Sequence, residues 1–237
     1  MGEVVERLFP SMAALAPVLA AEIAERLAAA VKARGVASLV ATGGATPGPL
    51  YDVLSDLDLP WERVFVTLSD ERWVSVENAA SNQRLVRERL MRGRAAGARL
   101  IGLKTADPTP ALAEPALEAV IEALPRPFDV VVLGMGGDGH VASLFPGNPA
   151  TLRAMDMNAP ALVAAAESQG AAGADQRLSL TFRALRETAW TAILITGDEK
   201  LALARRARTG DDVAELPVRG VLTGPAGPVE IWWSEQS

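Results

Sequence analysis

Phe128-Asp129-Val130-Val131-Val132-Leu133 leads without a break into Gly134-Met135-Gly136-Gly137-Asp138-Gly139-His140. The three valines show no polar alternation, so the run reads as a strand buried on both faces. Glycines then end it, and a histidine sits in the turn at its carboxyl end. Working outward, the same grammar recurs. Residues 36–41 form a short apolar run that stops at Thr42-Gly43-Gly44, and residues 63–68 stop at Ser69-Asp70-Glu71-Arg72. Residues 161–165, 189–195 and 229–233 are further strand candidates. Between them lie helical stretches. Residues 17–34 are Ala-rich, with Pro17 suited to a first turn and Gly35 to an end. Thr46-Pro47 reads as an N-cap followed by proline at the first helical position. Residues 81–91 and 110–124 are helical, the latter interrupted near Pro115, and Gly197-Asp198-Glu199 opens a helix running to about Arg208. Residues 168–174 are a small-residue loop. Apolar strands alternating with helices predict a parallel sheet covered on both faces. Ligands of such sheets sit beyond the carboxyl ends of the strands, where the polar and glycine clusters fall.

The composition narrows the chemistry. The 237 residues include no Cys and one His, which excludes disulfides, Cys-ligated zinc, a thiol nucleophile and a cage of histidines. With 49% apolar and 22% charged residues the chain has material for a core. A net charge of −6 argues against general nucleic-acid binding. Glu3 and Glu6 deny the N-terminus a cationic targeting segment, and Glu22, Glu25 and Arg26 interrupt the apolar stretch that follows. A cytoplasmic location is the expectation.

Four clusters can carry chemistry. Thr42-Gly43-Gly44-Ala45-Thr46-Pro47 is a strand-to-helix turn whose backbone N–H groups suit a phosphate, or simply a tight turn before a capped helix. Gly134-Met135-Gly136-Gly137-Asp138-Gly139 matches the dinucleotide pattern G-x-G-x-x-G, but Pro146 and Gly147 follow too soon for the long helix that pattern needs. His140 is of the residue type that titrates near neutrality, and Asp138 stands two positions away, so a general acid/base is the functional reading and an ordinary histidine the plain one. Asp70 and Glu71 are paired acids beside Arg72, yet no second acidic or His cluster completes a metal ligand set. Arg72, Arg177 and Lys200 lie near strand ends or loops and can neutralise a phosphate. Arg84, Arg87, Arg89, Arg92 and Arg94 spread around a helix and read as a solvated surface, and Trp232-Trp233 as packing.

In order along nearly the whole chain, these pieces resemble the 6-phosphogluconolactonase family. The shared segments are residues 42–47, 69–74, Ser81-Asn82, the long histidine segment 134–147, Arg177-Leu178-Ser179-Leu180-Thr181 and Thr196-Gly197-Asp198-Glu199-Lys200. The family shares its fold with glucosamine-6-phosphate deaminase. There the histidine loop continues with a glutamate that supports ring opening, and here Phe145 stands in its place. Thr42, Ser179 and the Gly/Ala-rich loop before Arg177 depart from the lactonase pattern.

The resemblance implies an α/β fold in which residues 1–237 form a single Rossmann-like domain, an open parallel-rich sheet with helices on both faces. It implies hydrolysis of a sugar-phosphate lactone with no metal and no cofactor. His140, Asp138 and Asp70 would be the catalytic group. Gly43, Gly44, Thr46, Arg72, Arg177 and Lys200 would bind the substrate's phosphate, and backbone N–H groups among Gly136, Gly137 and Gly139 would stabilise an oxyanion. A deaminase-like isomerase and a non-catalytic sugar-phosphate binder are the competing expectations. The expected partner is the small-molecule substrate, without nucleic acid or membrane, in a monomer or weak homodimer.

Overall fold

The valine run forms the middle of a sheet. The structure, a computed structural model, describes residues 4–168, 173–224 and 227–235. Its strands are β1 (Val4–Phe9), β2 (Ala37–Ala41), β3 (Val64–Leu68), β4 (Asp70–Arg72), β5 (Arg99–Ile101), β6 (Val130–Gly134), β7 (Val163–Glu167), β8 (Gln176–Leu180), β9 (Thr191–Thr196) and β10 (Val229–Ser234). Its helices are α1 (Met12–Arg34), α2 (Gly48–Leu54), α3 (Asn82–Arg89), α4 (Pro110–Glu122), α5 (Pro149–Met155), α6 (Phe182–Arg186), α7 (Asp198–Ala207) and α8 (Val218–Leu222). Seven strands make one sheet in the order β1-β10-β9-β6-β2-β3-β5, and every neighbouring pair is parallel.

Burial explains the centre of that sheet. Every residue of β2, the first four of β6 and the first five of β9 are buried, so both faces of these strands are covered. Helix α1 offers Leu15, Leu19, Ile23 and Leu27, four apart and all 0% exposed. Burying each such side chain stabilises the fold by about 1.5–3 kcal/mol. The helix is bounded by the Ser11 side chain, which accepts from Ala14 N–H, and by Gly35 at φ 81°.

Two features of the topology place a site. From β2 the chain moves on to β3 on one side, whereas β6, on the other side of β2, leads away toward β9. The carboxyl ends of β2 and β6 therefore part, leaving the crevice where open α/β sheets bind ligands. Second, β4, β8 and β7 form a separate antiparallel sheet. Ser69 joins the two sheets: its N–H donates to the Ala41 carbonyl at 2.8 Å and its carbonyl accepts from Leu180 N–H at 2.8 Å. The small sheet thus hangs over the carboxyl end of β3.

The structure corrects several expected boundaries. Helix α1 starts at Met12 and runs through Pro17, and α4 runs through Pro115 without interruption. Both prolines and the residues four before them, Ala13 and Ala111, are exposed, so water can serve the freed carbonyls. Thr46 does not cap α2, which begins at Gly48 after Pro47 with no side-chain cap. Strand β7 lies two residues later than expected, because the Glu118 carboxylate takes the N–H groups of Leu162 and Val163 at 2.8–3.1 Å. The strands β1, β4, β5 and β8 were not anticipated. Strands β4 and β5 have three residues each, β1 and β8 carry charged residues, and all four pair with distant partners. Of the expected loop 168–174, residues 169–172 lie outside the described residues. Among the described residues no helix is long and apolar enough to cross a membrane.

Candidate active site

A cleft of about 300 Å³ opens at the parting of β2 and β6. The turn after β2, from Thr42 to Pro47, forms one wall. Gly134, Gly136 and His140 after β6 form another, with Phe145 beside them. Asp70, Arg72 and Arg177 enter from the small sheet, Asn82 from α3, and Lys200 from the first turn of α7. Most expected site residues therefore meet here. Asp138 stands behind the imidazole, and Gly137 and Gly139 do not line the cleft.

The histidine is held by its neighbour. His140 Nδ1 lies 2.6 Å from Asp138 Oδ1, which also accepts the His140 backbone N–H at 3.1 Å. With Nδ1–H donating to the carboxylate, Nε2 keeps the lone pair. Burial works to raise the Asp138 carboxyl, but its hydrogen bonds with the His140 ring and backbone, and the charge there, hold it below the usual carboxylate range. Gly136 makes room for this pair, since a Cβ there would fall on the imidazole and on Asp138 Oδ1. The Phe145 ring packs against the imidazole, 4.6 Å between centroids.

The glycines of this turn serve the loop itself. Gly136 N–H donates to the His140 carbonyl at 2.9 Å, and Gly139 N–H to the Gly136 carbonyl at 3.1 Å. Both N–H groups are thereby taken up within the loop, which narrows the expected oxyanion donors to the Gly137 N–H, which donates to no protein acceptor among the described residues. No long helix follows the turn either: residues 141–148 are turns and an isolated bridge, so the dinucleotide pattern lacks its context.

The turn after β2 is built the other way. Among the described residues the N–H groups of Gly43, Gly44, Ala45 and Thr46 donate to no protein acceptor. Gly44 has φ 91°, and a Cβ on Gly43 would collide with the Asn82 side chain. Four open donors in succession suit an anion, and they replace the helix-terminus argument, because α2 is a seven-residue helix. Cations surround them. Arg72 and Arg177 are direct cross-strand partners in the small sheet. Arg177 is 3% exposed, and burial pushes its guanidinium down from the usual value, with the Arg72 charge adding to that. The charges of Asp70, Asp175 and Glu71 act the other way on Arg177, and a bound anion would add to them.

Asp70 and Glu71 prove to be anchors. Asp70 Oδ1 accepts from Ser69 at 2.9 Å and Asn82 at 3.3 Å, and Oδ2 from Ser143 Oγ at 2.6 Å. No hydrogen bond joins it to His140 among the described residues. Glu71, 0% exposed, accepts from Arg72, Asn82 and Gln83 N–H and from Ser81 Oγ, so it fastens the start of α3. Burial raises its carboxyl, and these hydrogen bonds offset part of that. Ser143 N–H donates to Ser179 Oγ at 3.2 Å. Its neighbours in space come from β4 and β8, which no local pattern reveals. Among the described residues no group of three or more His, Asp or Glu is placed to hold a metal ion. The arginines of the 84–94 run each pair with a carboxylate, Glu88, Glu77, Asp52 or Asp58, as a solvated face would. Trp232 is buried and stacked on Phe9, as packing.

Comparison with known proteins fits this geometry. A family described as glucosamine-6-phosphate isomerases/6-phosphogluconolactonase matches residues 10–232. The 6-phosphogluconolactonase of Rhizobium meliloti (strain 1021) is 41% identical over 227 residues, covering 96% of this chain and 97% of its own. That of Pseudomonas putida is 41% identical, covering 92% and 88% respectively. The crystal structure of a 6-phosphogluconolactonase from Shewanella baltica OS155 aligns with a TM-score of 0.90 at 41% identity, over 98% of each chain. With a match running almost end to end and a shared fold, the chain belongs to the glucosamine-6-phosphate isomerase/6-phosphogluconolactonase family, as an enzyme of its 6-phosphogluconolactonase branch.

Proposed function

We propose that residues 1–237 act as one cytoplasmic domain that hydrolyses 6-phospho-D-glucono-1,5-lactone to 6-phospho-D-gluconate, in the oxidative pentose phosphate pathway, without a metal and with His140 as general base. The observation that carries this is the pairing of one imidazole, polarised by Asp138 at 2.6 Å, with an open anion turn and an arginine pair in a single cleft. The phosphate rests on the Gly43-to-Thr46 N–H groups with Arg72, Arg177 and Lys200 supplying charge. That anchor fixes the lactone carbonyl against the imidazole and turns binding energy into orientation.

A lactone carbonyl is electrophilic enough for water once a base is at hand. His140 Nε2 takes a proton from the water as its oxygen bonds to C1. The tetrahedral intermediate collapses by breaking the bond between C1 and the ring oxygen. The imidazolium returns the proton to that oxygen as it leaves, and the new carboxylic acid ionises in water. Acid/base help of this kind is worth about 10²–10⁴-fold. Phe145 supports hydrolysis over deamination, because a hydrocarbon ring beside the imidazole cannot carry a second proton.

The test is a pH-stat or coupled assay with freshly prepared lactone, corrected for its spontaneous hydrolysis. His140→Ala is expected to lower kcat by about 10²–10⁴-fold while inhibition by inorganic phosphate survives. Wild-type turnover in a folded His140→Ala protein rejects the general base.

A further inference from the structure

The chain has a single tyrosine, Tyr51, and its hydroxyl lies in the interior at the root of the anion turn. It accepts from Thr42 N–H at 2.9 Å and donates to the Thr42 carbonyl at 2.7 Å. The topology explains why such a group is needed. The β2–β6 ladder ends at Val40 and Val131, and the β2–β3 ladder at Ala41 and Leu68. Thr42 is the first residue past both, and it is 5% exposed, so neither strand nor water serves its peptide groups. Leaving such groups bare in the interior is costly. Tyr51 sits on α2, the helix that the turn itself leads into, and reaches back to the turn's first residue. Residues 42–51 are thereby closed into a loop. Thr42 is also tied outward, since its Oγ1 accepts from Gly134 N–H at 3.2 Å, at the end of the strand that precedes the histidine turn.

We propose that Tyr51 is a positioning residue for phosphate binding: its hydroxyl locks the Thr42 peptide groups and thereby holds the N–H groups of Gly43 to Thr46 in an anion-binding array. This role rests on the proposal that the turn binds the substrate's phosphate. Burial holds the phenol well above its ordinary value, so the hydroxyl remains both donor and acceptor across the working pH range. Phenylalanine has the same ring and loses the hydroxyl alone, which isolates the group in question.

The experiment compares Tyr51→Phe and Lys200→Ala with the wild type, with inorganic phosphate as the competing anion. Tyr51→Phe is expected to raise KM for the phosphorylated lactone and Ki for phosphate in parallel, by about tenfold, with kcat within about twofold. A hydroxyl that only stabilises the fold would shift the melting temperature and leave both constants unmoved. If Lys200→Ala raises the phosphate Ki and Tyr51→Phe does not, the tyrosine proposal falls and the phosphate site stands. If neither variant moves Ki, the phosphate assignment itself falls and takes the proposal with it. Should Tyr51→Phe fail to fold, the full chain labelled with 3-fluorotyrosine decides, because it carries one fluorine resonance. That resonance is expected to shift as phosphate saturates the site. A resonance that stays fixed while phosphate inhibits the enzyme overturns the proposal.

Discussion

Two glycine turns leave the sheet side by side, one after β2 and one after β6, and they use glycine for opposite ends. On the proposed mechanism the backbone is the working part of the turn after β2: four N–H groups stay open there and Gly44 has φ 91°. In the turn after β6 the backbone bonds to itself, through Gly136 and Gly139, and the part proposed to work is the His140 side chain. Their supports differ as well. The first is closed from within by Tyr51, nine residues from Thr42. The second is braced from remote segments: Ser143 by Asp70 and Ser179, Gly139 by Val218, and Gly147 by Ala214. An anion is large and tolerant, so a local array of donors can hold it. A proton-transferring nitrogen must be placed to a fraction of an ångström, and that demands bracing from several directions.

The comparison breaks most sharply at Gly136. A Cβ there would occupy the space of the imidazole and of Asp138 Oδ1. Gly136→Ala is expected to lower kcat by about 10²–10³-fold, close to the loss of the histidine itself, with the phosphate Ki unchanged. A variant that loses phosphate binding instead would show that the two turns are one unit.

Legibility in the sequence follows the same division. The strand Phe128-to-Leu133 region, the anion turn and the glycine-histidine segment were readable because each is local: an apolar run, a glycine pair, a histidine two residues from an aspartate. The small sheet was not. Strand β4 reads Asp-Glu-Arg, and nothing in those three residues announces that Arg72 pairs with Arg177. The sequence puts Asp70 in the catalytic group but does not show its anchoring partners, Asn82 and Ser143, which are 12 and 73 positions away. The prolines differ from their local reading for a related reason. Pro17 reads as a first turn and Pro115 as an interruption, yet on exposed faces near helix starts the surrounding packing carries the helix through them.

Ser143 tests whether the remote bracing matters to rate. Ser143→Ala removes the 2.6 Å bond to Asp70 Oδ2 and leaves a buried carboxylate oxygen short of a donor. Such a loss costs about 1.5–3 kcal/mol, or a fall of about 3–12 °C in Tm for a chain of this size. If the brace serves the histidine turn, kcat falls about tenfold and the phosphate Ki holds. A rise in Ki at constant kcat would assign the brace to the anion side, through Ser179 and β8.

The smallest effect concerns acid. The anion turn from Thr42 to Pro47 contains no ionisable side chain, whereas the histidine turn contains the Asp138 carboxyl, held below its ordinary value. A depressed carboxyl binds its proton less tightly in the folded chain than in the unfolded one. It therefore contributes stability that is fully present above the unfolded value of about 3.9 and is lost as pH falls through the lower, folded value. Asp138→Asn should lie below the wild type in Tm at neutral pH, and the gap should close under about pH 4. The side chain is 48% exposed, so screening keeps the gap below about 1 kcal/mol and added salt narrows it further. A gap that persists unchanged at pH 3 would mean that the contact acts through shape and not through charge, and the histidine turn would then resemble its neutral neighbour in this respect.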